Sequence, residues 1–131
     1  MLKAVIVDGN AVARAMLATV LTDGGYEVVG TTHTGLLGVN LALKHHPHVI
    51  CIAREQAEDG SDVVEQLRRA LPKTLVFLVA GALDAAAVQA AAARGVQGFI
   101  VKPFKADTVL RAIRNTVITF VKKQRQAAAP E

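Results

Sequence analysis

The sequence predicts an α/β domain in which a five-stranded parallel sheet carries five helices on its two faces. Three observations predict it. Strand-like and helix-like patterns alternate five times along 131 residues, the order that builds a parallel sheet with helical crossovers. Two strand-like runs, Phe99-Ile100-Val101 and Val49-Ile50-Cys51-Ile52-Ala53, have no polar alternation, as expected of strands covered on both faces. The content is 52% hydrophobic, enough at this length for one domain to bury a core without disulfides or a structural metal.

Taken in order, Ala4 to Val7 is the first strand, ending at Asp8-Gly9. Asn10 is placed to cap a first helix in which Val12, Met16, Leu17, Val20 and Leu21 recur at helical spacing, and Gly24-Gly25 closes it. Tyr26 to Val29 reads as a short second strand and Gly30 to Thr34 as a loop. Gly35 to His46 reads as a second helix, weakened by Gly38. Pro47 separates it from the third strand, Val49 to Ala53, which should be central. Arg54 to Gly60 reads as a polar loop, after which Ser61 or Asp62 opens a third helix with Val63, Val64 and Leu67 facing inward. Leu75 to Val79 is the fourth strand. Asp84 caps an alanine-rich fourth helix, Ala85 to Arg94, which Gly95 ends. Gly98 to Val101 is the fifth strand, stopped by Lys102-Pro103, and a fifth helix starts near Ala106 and runs to Val121 or beyond. Residues 1–121 form the domain. Residues 122–131, ending in Ala-Ala-Ala-Pro-Glu, read as a fraying tail or linker.

Charge is uneven along the chain. Residues 1–104 hold nine basic and nine acidic side chains, whereas residues 105–131 hold six basic and two acidic ones, so the net +4 comes from the C-terminal segment. Nothing aromatic is interleaved there for base stacking, and a solvated helix face is the simpler reading than a nucleic-acid surface. The single cysteine, Cys51, excludes an internal disulfide framework. No leader sequence or membrane-length apolar run is visible, and a cytoplasmic location is expected.

If the strands are parallel, Asp8-Gly9, Ala53, Ala80 and Lys102 share one rim of the sheet, where open α/β sheets hold ligands. A lysine partly withdrawn from water there needs an anion. Several features occur in a recognisable order: Val5-Ile6-Val7-Asp8, Gly25-Tyr26-Glu27-Val28-Val29, Pro47 before the third strand, Asp59-Gly60 after it, and Gly95 through Lys102-Pro103-Phe104. Over residues 1 to about 121 the chain resembles the receiver domain of two-component response regulators, the chemotaxis-type flavodoxin-like (βα)5 fold.

The resemblance implies a phosphorylation pocket with two acids after the first strand, an acceptor aspartate after the third, a hydroxyl after the fourth and a lysine after the fifth. Only Asp8 and Lys102 match; the other positions are Gly9, Ala53 and Ala80. Alanine has no nucleophilic oxygen, and one carboxylate is a poor magnesium site. The expectation is therefore a degenerate pseudo-receiver, not an enzyme, with no cofactor and no metal, in which Lys102 pairs with Asp8. Phe99 stands where the family carries a switch aromatic, and Ala80 beside it suggests either a ring held permanently inward or plain core packing. The resemblance also implies partner docking or self-association through the fourth helix, fifth strand and fifth helix, with Ala86, Ala90, Arg94, Lys105, Arg111 and Arg114 as candidate interface residues.

Weaker signals have simpler explanations. His45, His46 and His48 with Cys51 suggest a metal site but read more simply as surface histidines and a buried thiol. Glu55, Asp59 and Ser61 as substitute phosphoacceptors read more simply as loop or cap residues. The leading functional expectation is a phosphorylation-independent protein-interaction module in two-component signalling. The alternative is a sensing domain that holds a small anion or nucleotide against Lys102 in the vacated pocket.

Overall fold

The run with no polar residue, Val49-Ile50-Cys51-Ile52-Ala53, is β3 (Val49–Ala53), central in the sheet and fully buried. The computed structural model, which describes residues 1–128, flanks it with β1 (Lys3–Val7) on one side and β4 (Leu75–Ala80) on the other. The edges are β2 (Glu27–Thr32) and β5 (Gly98–Val101). All four pairings are parallel and the order is β2-β1-β3-β4-β5. Registers Val7↔Ile52, Ala53↔Val79 and Ala80↔Val101 bring the carboxyl ends to one rim.

Each strand divides its apolar residues between the two faces because side chains alternate along extended backbone. Val5, Val7, Ile50, Ile52, Val76 and Leu78 face one helical layer. It comprises α2 (Gly35–His45), the short α3 (Arg54–Ala57), α4 (Val63–Ala70) and α5 (Ala85–Arg94). Ala4, Ile6, Cys51, Phe77, Val79 and Ile100 face the other, which comprises α1 (Ala11–Asp23) and α6 (Ala106–Ala128). The helix starts follow the side-chain chemistry. Asn10 accepts from the Ala13 amide, Thr34 from Leu37 and Asp84 from Ala87, each satisfying an otherwise unpaired donor. Gly95, with φ +115°, closes α5 in the left-handed conformation that favours glycine.

Four local expectations are corrected. There are six helices among the described residues rather than five, because the polar segment after β3 forms one helical turn, fastened by an Arg54–Glu58 ion pair at 3.0 Å and by burial of Ala57. The second strand is not Tyr26 to Val29 but Glu27–Thr32. Pairing with β1 carries it through Gly30 and Thr31, a long-range ladder that the local composition does not advertise. The fifth strand is not covered on both faces: β5 is an edge of the sheet, and Val101 at its end is 53% exposed. Finally, the segment from Lys122 does not fray at Gln124, since α6 continues as helix to Ala128. The rest of the expected tail, 129–131, lies outside the described residues. No helix among the described residues is long and apolar enough to cross a membrane.

Candidate functional site

The carboxyl rim of the sheet is organised by Asp8, the residue that follows β1. Its amide donates to the Thr32 carbonyl at 3.0 Å, fixing the backbone against the end of β2. The residue is 5% exposed, so its charge needs partners. Oδ2 lies 2.9 Å from the Lys102 ammonium, and Oδ1 accepts the Asn10 amide at 2.8 Å. Lys102 is itself positioned by its backbone, whose amide donates to the Ala80 carbonyl at 2.9 Å at the end of β4. The ion pair therefore ties the end of β1 to the end of β5 across β3 and β4.

Ala53 and Ala80 lie between them at the ends of β3 and β4, 0% and 4% exposed, and each presents only a methyl group. At Gly9 the missing side chain has a structural consequence. A Cβ built there would lie 2.7 Å from Gln56 Nε2, so the amide of Gln56, from α3, occupies the space that a residue with a side chain would claim. Gln56 Oε1 is buried without a hydrogen-bond partner among the described residues.

Two contributors at this rim were not legible in the sequence. Arg14 Nη1 donates to the backbone carbonyl of Asp8 at 2.7 Å, bracing the main chain that carries the carboxylate. A faint signal existed, because a cation in the first turn of a helix opposes the helix dipole and suggests another partner. Gln56 gave no signal, since only the fold brings it over Gly9.

Phe99 is half-buried and packs on the core layer of Val5, Val7 and Leu78. The residues expected to form one interface are distributed differently. Ala86 and Ala90 are exposed on α5, and Lys105 is exposed at the start of the α6 side. Arg94 instead points into its own domain: Nε binds Glu65 Oε1 at 2.6 Å and Nη2 donates to the Ala57 carbonyl at 3.1 Å. Arg111 is exposed, 3.9 Å from Asp107. Arg114 is exposed on α6 one turn after Leu110, whose side chain lies against Gly24 at the end of α1, which puts it on the flank of α6 that meets α1. A cleft of about 470 Å³ runs beside β5, lined by Phe99, Val101, Lys102, Lys105, Thr108 and Ala112 among others, and Val101 is 53% exposed beside it.

The histidines do not converge with the thiol. His48 Nδ1 accepts from the Lys3 amide at 2.9 Å, Cys51 is buried within β3, and no group of three or more His, Cys, Asp or Glu side chains forms among the described residues. Of the three loop candidates, Asp59 accepts from both the amide and the hydroxyl of Ser61, which holds its carboxyl below the usual range, and Glu55 is exposed.

The profile of the response regulator receiver domain matches residues 4–114. The chemotaxis protein CheY of Bacillus subtilis is 30% identical over 113 residues, covering 86% of this chain and 94% of that protein. CheY of Listeria monocytogenes is 32% identical over 114 residues, covering 86% and 96%. Among solved structures, the chemotaxis response regulator CheY4 of Vibrio cholerae superposes with a TM-score of 0.79 at 27% identity, covering 88% of this chain and 98% of that one.

Proposed function

We propose, on the premise that this chain belongs to the response regulator receiver domain family of two-component signalling, that it is a receiver whose output does not depend on phosphoryl transfer. The observation that carries the reading is the state of the rim. Ala53 occupies the end of β3 with a buried methyl group, so no carboxylate stands there to attack phosphorus and form an acyl phosphate. Ala80 offers no hydroxyl to close on one.

The divalent cation that the family implies does not fit these residues. Magnesium takes oxygen ligands in near-octahedral geometry. Asp8 is the one carboxylate at the rim ends of the strands, and both of its oxygens are engaged, by Asn10 and by Lys102. Gly9 contributes no side-chain ligand, and the Gln56 amide occupies the space that a side chain there would take. The ion pair supplies internally the positive charge that a metal would bring, so the rim is held in one arrangement.

On this reading the domain works by contact, in the cytoplasm and without catalysis. The surface that suits a protein partner is the edge of β5 with the cleft of Phe99, Val101, Lys105 and Thr108, flanked by exposed Ala86 and Ala90 on α5. Small residues let another backbone approach closely, and an exposed apolar Val101 gains from being covered. Arg94, committed to Glu65, and Arg114, on the other flank of α6, fall outside that surface.

Titration with beryllofluoride and magnesium, or incubation with acetyl phosphate, tests the phosphorylation half of the reading. Amide NMR shifts at Asp8, Ala53 and Phe99 should not move. A saturable shift there would overturn it.

A further inference from the structure

We infer a second, separate binding site at the opposite end of the sheet, suited to a nucleotide: a phosphate joined to a planar ring. It does not rest on the proposed function and shares no residue with the Asp8 rim. A cleft of about 520 Å³ opens where β4 and β5 begin, between the end of α4 and the later turns of α6. That volume is within the range of small-molecule sites.

The chemistry of its walls selects the ligand class. Arg68 and Lys123 both line it, and among the described residues no carboxylate does. Among the described residues neither cation has an acidic partner within ion-pair distance, unlike Arg54, Arg94, Lys102 and Arg111. Arg68 is half-buried, and its Nη1 is held by the carbonyls of Pro72 and Thr74 at 3.1 and 3.0 Å. This fixes the guanidinium while leaving its other nitrogens to meet an anion, the pre-organised geometry that makes arginine a phosphate binder. Arg69 and Lys73 near the same end of α4, and Lys122 and Arg125 on α6, add positive potential to this pole.

The remainder of the cleft suits a ring rather than a bare ion. Its apolar wall is Leu75, Val96 and Phe120, an aromatic and two aliphatic side chains on which a planar base gains dispersion and stacking energy. Gln97 spends its Oε1 on the Val76 amide at 2.7 Å, which leaves its NH2 as a fixed donor. Thr119 donates its hydroxyl proton to the Asn115 carbonyl at 2.9 Å, leaving oxygen lone pairs as acceptors, and the exposed Asn115 side chain offers both functions. A base edge needs this mixture of donors and acceptors; inorganic phosphate needs donors only.

The test is isothermal titration and amide NMR of the full chain with AMP and GMP, with inorganic phosphate and adenosine as partial ligands. The expected result is saturable binding of at least one nucleotide, about 10-fold tighter than either partial ligand, with shifts centred on Gln97, Thr119 and Lys123. Lys123→Glu, an exposed change that leaves the core intact, should weaken binding by about 10-fold without moving the melting temperature. The inference fails if neither nucleotide saturates at millimolar concentration, or if phosphate alone binds as tightly. Shifts centred on Asp8 and Lys102, or unchanged affinity in the Lys123 variant, would also overturn it. None of these outcomes depends on whether the Asp8 rim accepts phosphoryl groups.

Discussion

Lys102 Nζ lies 2.9 Å from Asp8 Oδ2, with the two side chains 27% and 7% exposed. The asymmetry of burial decides which partner is the more costly to lose. Lys102→Met strands a nearly buried carboxylate, whereas Asp8→Asn keeps an acceptor for the Asn10 amide and leaves a lysine whose long stem can carry its charge into water. We expect Lys102→Met to cost about 1–3 kcal/mol and Asp8→Asn to cost less than about 1 kcal/mol. The double variant should lose less than the sum. Urea unfolding of the four proteins measures this, and equal losses for the two single variants would contradict it.

Gly38 in α2 should resist a substitution that ordinarily stabilises helices. Replacing glycine by alanine in an exposed helix interior gains about 1 kcal/mol. Here a Cβ would collide with Val7 Cγ2, and Val7 is 1% exposed within the sheet, so overpacking of about 1–3 kcal/mol opposes that gain. The expected net effect of Gly38→Ala is a loss of about 1 kcal/mol. Gly81→Ala, with open space around its Cβ position, should change stability by less than about 0.5 kcal/mol. Thermal melts of both variants check the pair, and a stabilised Gly38→Ala would count against close packing of α2 on β1.

Gly38 also marks how far local sequence carries. Periodicity and apolar runs were enough for β1, β3, β5 and α5, because each is specified by its own residues: an unbroken apolar run, or a capping aspartate followed by alanines and a glycine stop. The extent of β2 was not legible, since Gly30 and Thr31 are strand only because β1 pairs with them. Gly38 reads locally as a weak point and in the fold as a contact. The rim pair of Asp8 and Lys102 followed from parallel topology, which puts strand ends together. The placement of the Gln56 amide in the space beside Gly9 and the turn of Arg94 toward Glu65 depend on side-chain direction across tertiary contacts, which no one-dimensional pattern encodes.

Arg94 and Glu65 make the link between α5 and α4 pH-dependent. The hydrogen bond from Arg94 holds the Glu65 carboxyl below its ordinary value of 4.5. A carboxyl with a depressed folded-state pKa contributes stability that is complete above its unfolded value and is lost as pH falls through the folded one. Both side chains are about one-third exposed, at 34% and 32%, so solvent screening limits the contribution to about 0.5–1 kcal/mol. Glu65→Gln should therefore be less stable than the parent by this amount at pH 7, and the gap should close progressively below about pH 4.5. Urea midpoints of both proteins from pH 7 to pH 3 provide the check. A gap that persists unchanged at pH 3 would assign the effect to packing instead of charge.

Cys51 should be chemically silent until the whole domain opens. It is fully buried at the centre of the sheet, paired in register with Ile6 on one side and Phe77 on the other, and burial pushes its thiol up to about 12. The thiolate is the reactive species, so at pH 8 the native protein presents neither the accessible sulfur nor the ionised form. A disulfide reagent should label Cys51 only through openings that expose β3, and central strands open near the global unfolding free energy. In the limit of fast reclosing, the labelling rate should fall short of that of the unfolded chain by the folding equilibrium constant, and urea should accelerate it with the slope of the global transition. Labelling kinetics at increasing urea concentration measure both quantities. A fast, urea-independent phase would show that β3 is reached by a local opening, and would contradict a rigid rim held by the Asp8–Lys102 pair.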